Sequence, residues 1–178
     1  MKYIIPIIML SLLLFGCKAA EEEEETTTDP ALEATWKTAC YVDDDNSSIL
    51  FTPTFSGSTL SLTDEKHSDT SCATDYRLRV ETHSYEVEET GKKFVLTIGS
   101  TYKRTAQSSS AVSTYNTSSK CGHSDWELNV AKDCSEEGGG NKVYCLYEIS
   151  GSTMYVECNN SAYPTSITKT SENTFTKQ

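Results

Sequence analysis

Between Ala31 and Gln178 apolar residues alternate with polar ones, and nowhere do they recur at helical spacing across three turns. The alternating runs are rich in Thr, Tyr and Val and are bounded by Gly, Ser, Asn and Asp. They predict strands at Thr35–Val42, Ile49–Phe55, Thr59–Thr63, Tyr76–Glu88, Lys93–Tyr102, Trp126–Lys132, Lys142–Ser150, Thr153–Asn159 and Thr174–Lys177. Within Tyr76–Glu88 the apolar set changes parity, from Tyr76, Leu78 and Val80 to Tyr85 and Val87, which predicts a bulge near His83-Ser84. Thr105 to Ser119 is mostly Ser, Thr and Ala and reads as a long loop placed to lid a barrel mouth. Consecutive hairpin-linked strands imply an all-β fold, an antiparallel up-and-down β-barrel of about eight strands, since closure removes exposed edges.

Two hairpins can be put in register from sequence. Phe55-Ser56-Gly57-Ser58-Thr59-Leu60 and Ile149-Ser150-Gly151-Ser152-Thr153-Met154 share one form, with Gly-Ser as a two-residue type II′ turn. The second sets Ile149 against Met154, Tyr147 against Val156 and Cys145 against Cys158, so one face is wholly apolar. Its other face pairs Glu148 with Tyr155 and Leu146 with Glu157. A slip of one residue destroys that separation. The first sets Phe55 against Leu60 and Pro53 against Leu62, with Pro53 at a non-bonded pair or an edge.

The amino terminus has a different texture. Lys2 precedes an apolar run from Tyr3 to Phe15, too short for a spanning helix, and Leu14-Phe15-Gly16-Cys17 follows. This tetrapeptide resembles the lipobox of bacterial lipoproteins, in which a diacylglycerol joins the cysteine thiol and the chain is cut before it. The resemblance implies a signal peptide over residues 1–16, acylation of Cys17 (palmitate among the acyl groups) and a bilayer as partner through it. Several acyl chains on one residue hold a membrane where a single chain does not. Glu21 to Glu25 and the threonines after them read as an extended tether ending at Pro30, with the domain occupying residues 31–178. Lys18 after the cysteine resembles an outer-membrane sorting signal, and the acidic run resembles surface-export signals of some bacteria.

The formal charge of the 178-residue chain is −11. So acidic a protein repels polyphosphate, which excludes nucleic-acid binding through a basic face. Hydrophobic residues make up 37% of the chain, enough for one core if cross-links help. Beyond Cys17 six cysteines remain, and an exported address makes them a disulfide framework. The hairpin register selects Cys145 with Cys158, at a non-hydrogen-bonded pair where Cα atoms come within disulfide range. Cys40 with Cys72, and Cys121 with Cys134, follow by elimination and proximity.

Candidate chemistry is sparse. Cys121-Gly122-His123 offers two metal ligands, without a Cys-x-x-Cys or His-x-x-x-His partner. Asp43-Asp44-Asp45-Asn46 lacks the glycine and closing glutamate of a calcium loop and reads as a solvated turn. No nucleophile elbow, zinc-protease motif or phosphate-cradling loop occurs, and Gly138-Gly139-Gly140 reads as a flexible hairpin tip. The three histidines read as polar surface residues. The expectation is a protein without enzymatic activity, metal or cofactor.

The order of features resembles the calycin group of lipocalin-like barrels, and in particular the small lipocalin-like domains of bacterial lipoproteins. The resemblance rests on Ala34-Thr35-Trp36 in the first strand, the run of hairpins, Tyr147 to Val156 around the Ser-Gly-Ser turn, Tyr163-Pro164-Thr165-Ser166, and a closing Asn173-Thr174-Phe175-Thr176-Lys177 strand. In that group a tryptophan of strand one plugs the closed end; here Ala34 stands where the family commonly has glycine. The spacing of Trp36, Cys40 and Asp69-x-x-Cys72 resembles disulfide-bearing extracellular barrels that accommodate lipid chains. In such a barrel the inward, ligand-facing positions are Trp36, Phe51, Leu78, Leu96, Trp126 and Tyr147. About eight strands leave room either for side chains alone or for one small ligand. Two functions stay open: an envelope protein binding a small apolar molecule or lipid, with Tyr hydroxyls orienting its polar end, or an interaction module resembling barrel-shaped lysozyme inhibitors, whose acidic surface meets a cationic protein. A purely structural lipoprotein is the third reading.

Overall fold

The computed structural model describes residues 28–178. The expected signal segment, Cys17 and the tether up to residue 27 lie outside the described residues. The strands are β1 (Trp36–Thr38), β2 (Tyr41–Val42), β3 (Ser48–Ser56), β4 (Thr59–His67), β5 (Asp75–Glu89), β6 (Lys93–Thr97), β7 (Thr101–Ala106), β8 (Ala131–Ser135), β9 (Lys142–Ser150), β10 (Thr153–Asn159) and β11 (Thr174–Lys177), with one helix, α1 (Ser109–Ser118), between β7 and β8. Neighbouring strands run β3-β4-β5-β6-β9-β10-β11-β1. The last returns to the first through a bridge between Thr35 and Thr54 and a 3.0 Å bond from the Phe55 N–H to the Ala34 carbonyl. Phe51 adds a third tie, its N–H donating to Thr38 Oγ1 at 2.9 Å. The result is a nearly closed antiparallel barrel of eight staves. Both hairpins have the expected register, Cys145 opposite Cys158 and Phe55 opposite Leu60 included.

Two strand expectations divide. The first run is interrupted around Ala39-Cys40, giving β1 and β2. The run Lys93–Tyr102 bends at Ile98-Gly99-Ser100, giving β6 and β7. The fifteen-residue β5 is long enough to serve both, pairing with β6 over its second half and with β7 over its first. Beyond the bend β7 pairs with β8, so a three-stranded wing hangs below the barrel.

The parity change in β5 has another origin than a bulge at His83-Ser84. Pairing with β4 runs unbroken from Arg77 to Ser84, and the register shifts fall at Lys66/His67 and at Val87/Glu89. One face therefore carries Arg77, Arg79, Glu81, His83, Tyr85 and Val87 in a single row, charged at one end and apolar at the other. Tyr85 and Val87 lie in the main core with Trp36, Phe55, Leu60, Phe94, Cys145, Tyr147 and Met154. Leu78 and Val80 are on the opposite, outer face. Tyr76 sits at the Lys66/His67 irregularity, where its ring meets Tyr115 of α1, centroids 6.3 Å apart.

The expected loop at Thr105–Ser119 is mostly helix. Ser108 caps it, its hydroxyl accepting from the Ala111 N–H at 3.1 Å, and Ser119 ends it in the left-handed region at φ 47°. Ser and Thr favour such caps over helix interiors, so packing holds the helix. Ala111 and Tyr115, one turn apart, are buried against Ala106, Trp126 and Cys134 in a second core over the wing. Trp126 is likewise not on a strand; that strand is displaced to β8. Asn116 clamps Trp126 at both backbone groups, Oδ1 accepting from its N–H at 2.6 Å and Nδ2 donating to its carbonyl at 3.1 Å. Gly138-Gly139-Gly140 docks on the bend, where a Cβ on Gly139 would lie 2.7 Å from the Ser100 Cα.

The folded body begins earlier than residue 31. Asp29, expected in the tether, is 3% exposed. The Tyr147 hydroxyl donates to its Oδ2 at 2.5 Å, Gly91 N–H to the same oxygen at 2.9 Å, and Ala31 N–H to Oδ1 at 2.9 Å. Burial raises the pKa of this carboxyl, but the Tyr147 hydroxyl and the two N–H donors outweigh it, and the net value lies below 3.8. A carboxyl with a depressed folded pKa contributes stability that is complete above 3.8 and is lost as pH falls through the folded value. Asp29→Asn is therefore expected to lower unfolding free energy at neutral pH by about 1.5–3 kcal/mol, the range for bonds to a charged group. Urea titrations of both proteins over falling pH check it: the gap between them should close as the wild-type carboxyl protonates.

Candidate ligand cup and the charged seam

The barrel is not filled. Above a floor of packed aromatics lies a cup of about 660 Å³, open on one side and lined by Phe51, Pro53, Phe55, Leu60, Leu62, Phe94, Leu96, Met154, Val156 and Phe175. These residues come from five of the eight staves, and each is apolar because it occupies the inward parity of its strand. In the floor, Phe55, Tyr85 and Phe94 meet edge-to-face with centroids 5.1–6.1 Å apart. Beside them Trp36 is wholly buried, its Nε1–H donating to the Leu32 carbonyl at 3.0 Å. The Cys145–Cys158 disulfide forms part of the wall.

Polar groups gather only at the mouth, where Glu157, Thr168, Thr170, Glu172 and Asn173 complete the lining. Glu157 is committed to structure: its Oε2 accepts from the Thr168 N–H at 3.2 Å and from Asn173 Nδ2 at 3.0 Å, pinning the β10–β11 loop to the rim. Glu172 is exposed. Its charge reaches Tyr41, whose hydroxyl is pushed up to about 12 by burial first and then by Glu172, Asp64 and Asp43. No Lys, Arg or His is part of the lining.

Of the six expected inward residues, Phe51 and Leu96 line the cup, while Trp36 and Tyr147 lie beneath it in the core. Leu78 is on the outer face, because the row of charges takes the inward parity. Trp126 belongs to the second core under α1. Tyrosine hydroxyls do not reach the cup. That of Tyr147 is spent on Asp29, and burial first and then this carboxylate raise its pKa. Apart from Glu157 of β10, the rim residues belong to the loop before β11, which carries no alternation, so periodicity gives no sign of them.

A second arrangement lies beside an open hollow of about 710 Å³ whose lining includes Glu81, Ile98, Glu136, Asn141 and Tyr144. Arg79 Nε lies 2.6 Å from Glu81 Oε1, and its far nitrogen bonds Glu136. His83 Nε2 lies 3.1 Å from Glu81 Oε2, while its Nδ1 accepts from the Gly99 N–H at 3.0 Å. Both ring nitrogens are thus engaged, which leaves His83 no lone pair for a substrate proton. Burial raises the pKa of Glu81, but His83 and Arg79 hold it below 4.5 overall. This is the chemistry of a staple, with every partner committed to another part of the chain.

The remaining cysteines are joined as Cys40–Cys72 and Cys121–Cys134. Cys121 is thereby lost as a metal ligand, and Asp43 and Asp45 hold Lys66 at 3.3 and 2.7 Å. Among the described residues no group of His, Cys, Asp and Glu is placed to hold a metal, and no helix is long and apolar enough to cross a membrane. No protein-family model matches this chain, and no curated protein matches it either.

The seam depends on Gly99. A Cβ there would stand 2.1 Å from the Thr82 carbonyl oxygen, a backbone atom that cannot swing aside. Gly99→Ala should destabilise the protein by about 1–3 kcal/mol, the usual cost of overpacking. A lowered denaturation midpoint at unchanged slope is the expected reading.

Proposed function

We propose that this chain is a bacterial envelope lipoprotein, held at the outer membrane through acylated Cys17, whose barrel binds one small apolar molecule with a neutral or cationic polar end. The cup carries this reading. A volume of about 660 Å³ falls within the roughly 300–1,000 Å³ of small-molecule sites. Its wall is apolar over its whole depth, and its polar groups converge at one rim. Binding would transfer an apolar body out of water at ~25 cal/mol per Å² of buried surface. Two rim carboxylates without a lining cation make an anionic head group unfavourable there, since like charges at a desolvated contact cost binding energy. A fatty-acid carboxylate is thus a poorer guest than an alcohol or an alkylammonium of equal length.

The neutral fluorophore N-phenyl-1-naphthylamine should brighten on binding the purified protein. Dodecyltrimethylammonium should displace it at concentrations about tenfold lower than dodecanoate, a difference of ~1.4 kcal/mol. Val156→Trp, which fills the cup, should abolish both signals; undiminished fluorescence in that variant would place the probe elsewhere.

The anchor has its own check. Cells expressing the full chain and fed labelled palmitate should label the wild-type protein and not Cys17→Ser. Equal labelling of the two would remove the lipid anchor while leaving the cup reading untouched.

A further inference from the structure

The charge pattern differs at the α1 end of the same inward face, where Arg77 lies and where Arg104 stands opposite Arg79. Arg104 of β7 is only 9% exposed, yet among the described residues no carboxylate pairs with it. One terminal nitrogen donates to the Tyr115 hydroxyl at 3.2 Å, the guanidinium lies over the Tyr102 and Tyr115 rings at 5.4 and 5.5 Å, and Nε has no partner. A guanidinium this buried is normally paired. Close by, His67 is 4% exposed; its Nδ1 lies 3.2 Å from Asp75 and its Nε2 has no partner. Both side chains line one pocket of about 540 Å³ bounded by β4, β5, β7 and α1.

The charge balance of that pocket decides what it can hold. Lys66 and Arg77 also line it, but Asp45 and Asp43 together exceed the charge of the first by one, and Asp64, at 2.7 Å, cancels the second. Asp75 faces His67, so what distinguishes the pocket is where its charges lie and not an overall excess of cations. Asp45 itself is part of the lining, and its carboxylate is taken up by Lys66 and Ser47. That leaves Arg104, buried, and Lys120, exposed, as the lining cations without a carboxylate among the described residues, with Thr114 and Ser118 of α1 also in the lining. In a chain of net charge −11, a guanidinium this buried with no carboxylate on it, and Lys120 on the same hollow, is a local exception that calls for a counter-charge.

We infer that this pocket under α1 is an anion-binding site, separate from the cup, for a phosphate, sulfate or carboxylate carried on a compact body. Arg104 supplies the buried charge and a directed N–H, Lys120 a second charge at the entrance, and His67 Nε2 a polar contact at the back. Charge-assisted bonds of this kind are the strong ones. The site owes nothing to the apolar cup, so either can fail alone.

Calorimetric titration of the full-length protein with inorganic phosphate, sulfate and acetate tests it, with tetramethylammonium as the cationic control. Saturable one-to-one binding of at least one of the three anions is expected, weakened by added chloride, and the best of them names the head-group chemistry. The His67 ring resonances should shift with bound anion while those of His83 stay in place. Arg104→Gln should weaken binding about tenfold, and Lys120→Gln, on the surface and safe for folding, about threefold. Fluorophore binding in the cup should not change in either variant. The proposal is overturned if none of the anions saturates, or if one does with His67 unmoved and with Lys120→Gln binding as wild type.

Discussion

The molecule is organised by one strand that cannot be buried uniformly. β5 is paired with β4 on one side from Asp75 to Ser84, and on the other side with β7 over its first half and with β6 over its second. A continuous strand keeps one parity, so its inward row must suit two surroundings at once. Tyr85 and Val87 meet the aromatic floor of the cup. Arg77 through His83 meet carboxylates, namely Asp64 for Arg77, and Glu81 and Glu136 for Arg79. Ion pairs facing one another across a partly buried interior repay little in net stability and cost much when one partner is removed. Their effect is to forbid a solid apolar core below the floor. The barrel is thereby divided into an apolar upper chamber and a charged lower one capped by α1.

This division is also what made the sequence half legible. Alternation identifies two faces without saying which is inside, and where both candidate rows carry apolar or charged members the eye follows the apolar one. Leu78 and Val80 drew the assignment to the wrong face for that reason. The hairpins were different. Around Gly151-Ser152 one face is all apolar and the other carries the glutamates, so alternation selects the register of β9 and β10, and with it the Cys145–Cys158 pair. The bend at Gly99 was invisible because its cause, the Thr82 carbonyl, is a contact between strands and not a property of either.

The helix and the rim show a second limit. α1 spans under three turns and presents only Ala111, Val112 and Tyr115 as apolar members, below what periodicity can separate from a loop. It exists because Trp126 and Cys134 lie opposite it, residues that follow it in the chain. The rim of the cup is similar: Glu157 and Asn173 come together only after β10 and β11 have paired.

The clasp of Asp29 on Tyr147 and Gly91 has a mechanical meaning. The stave that closes the barrel, β1, is three residues long and would peel readily if pulled from its end. Tension arriving along the amino-terminal segment meets the clasp first, and the load passes into β9 and the β5–β6 turn, where ladders flank both sides. A protein hung by its amino terminus would thus bear drag and jostling on its strongest wall and spare its thinnest.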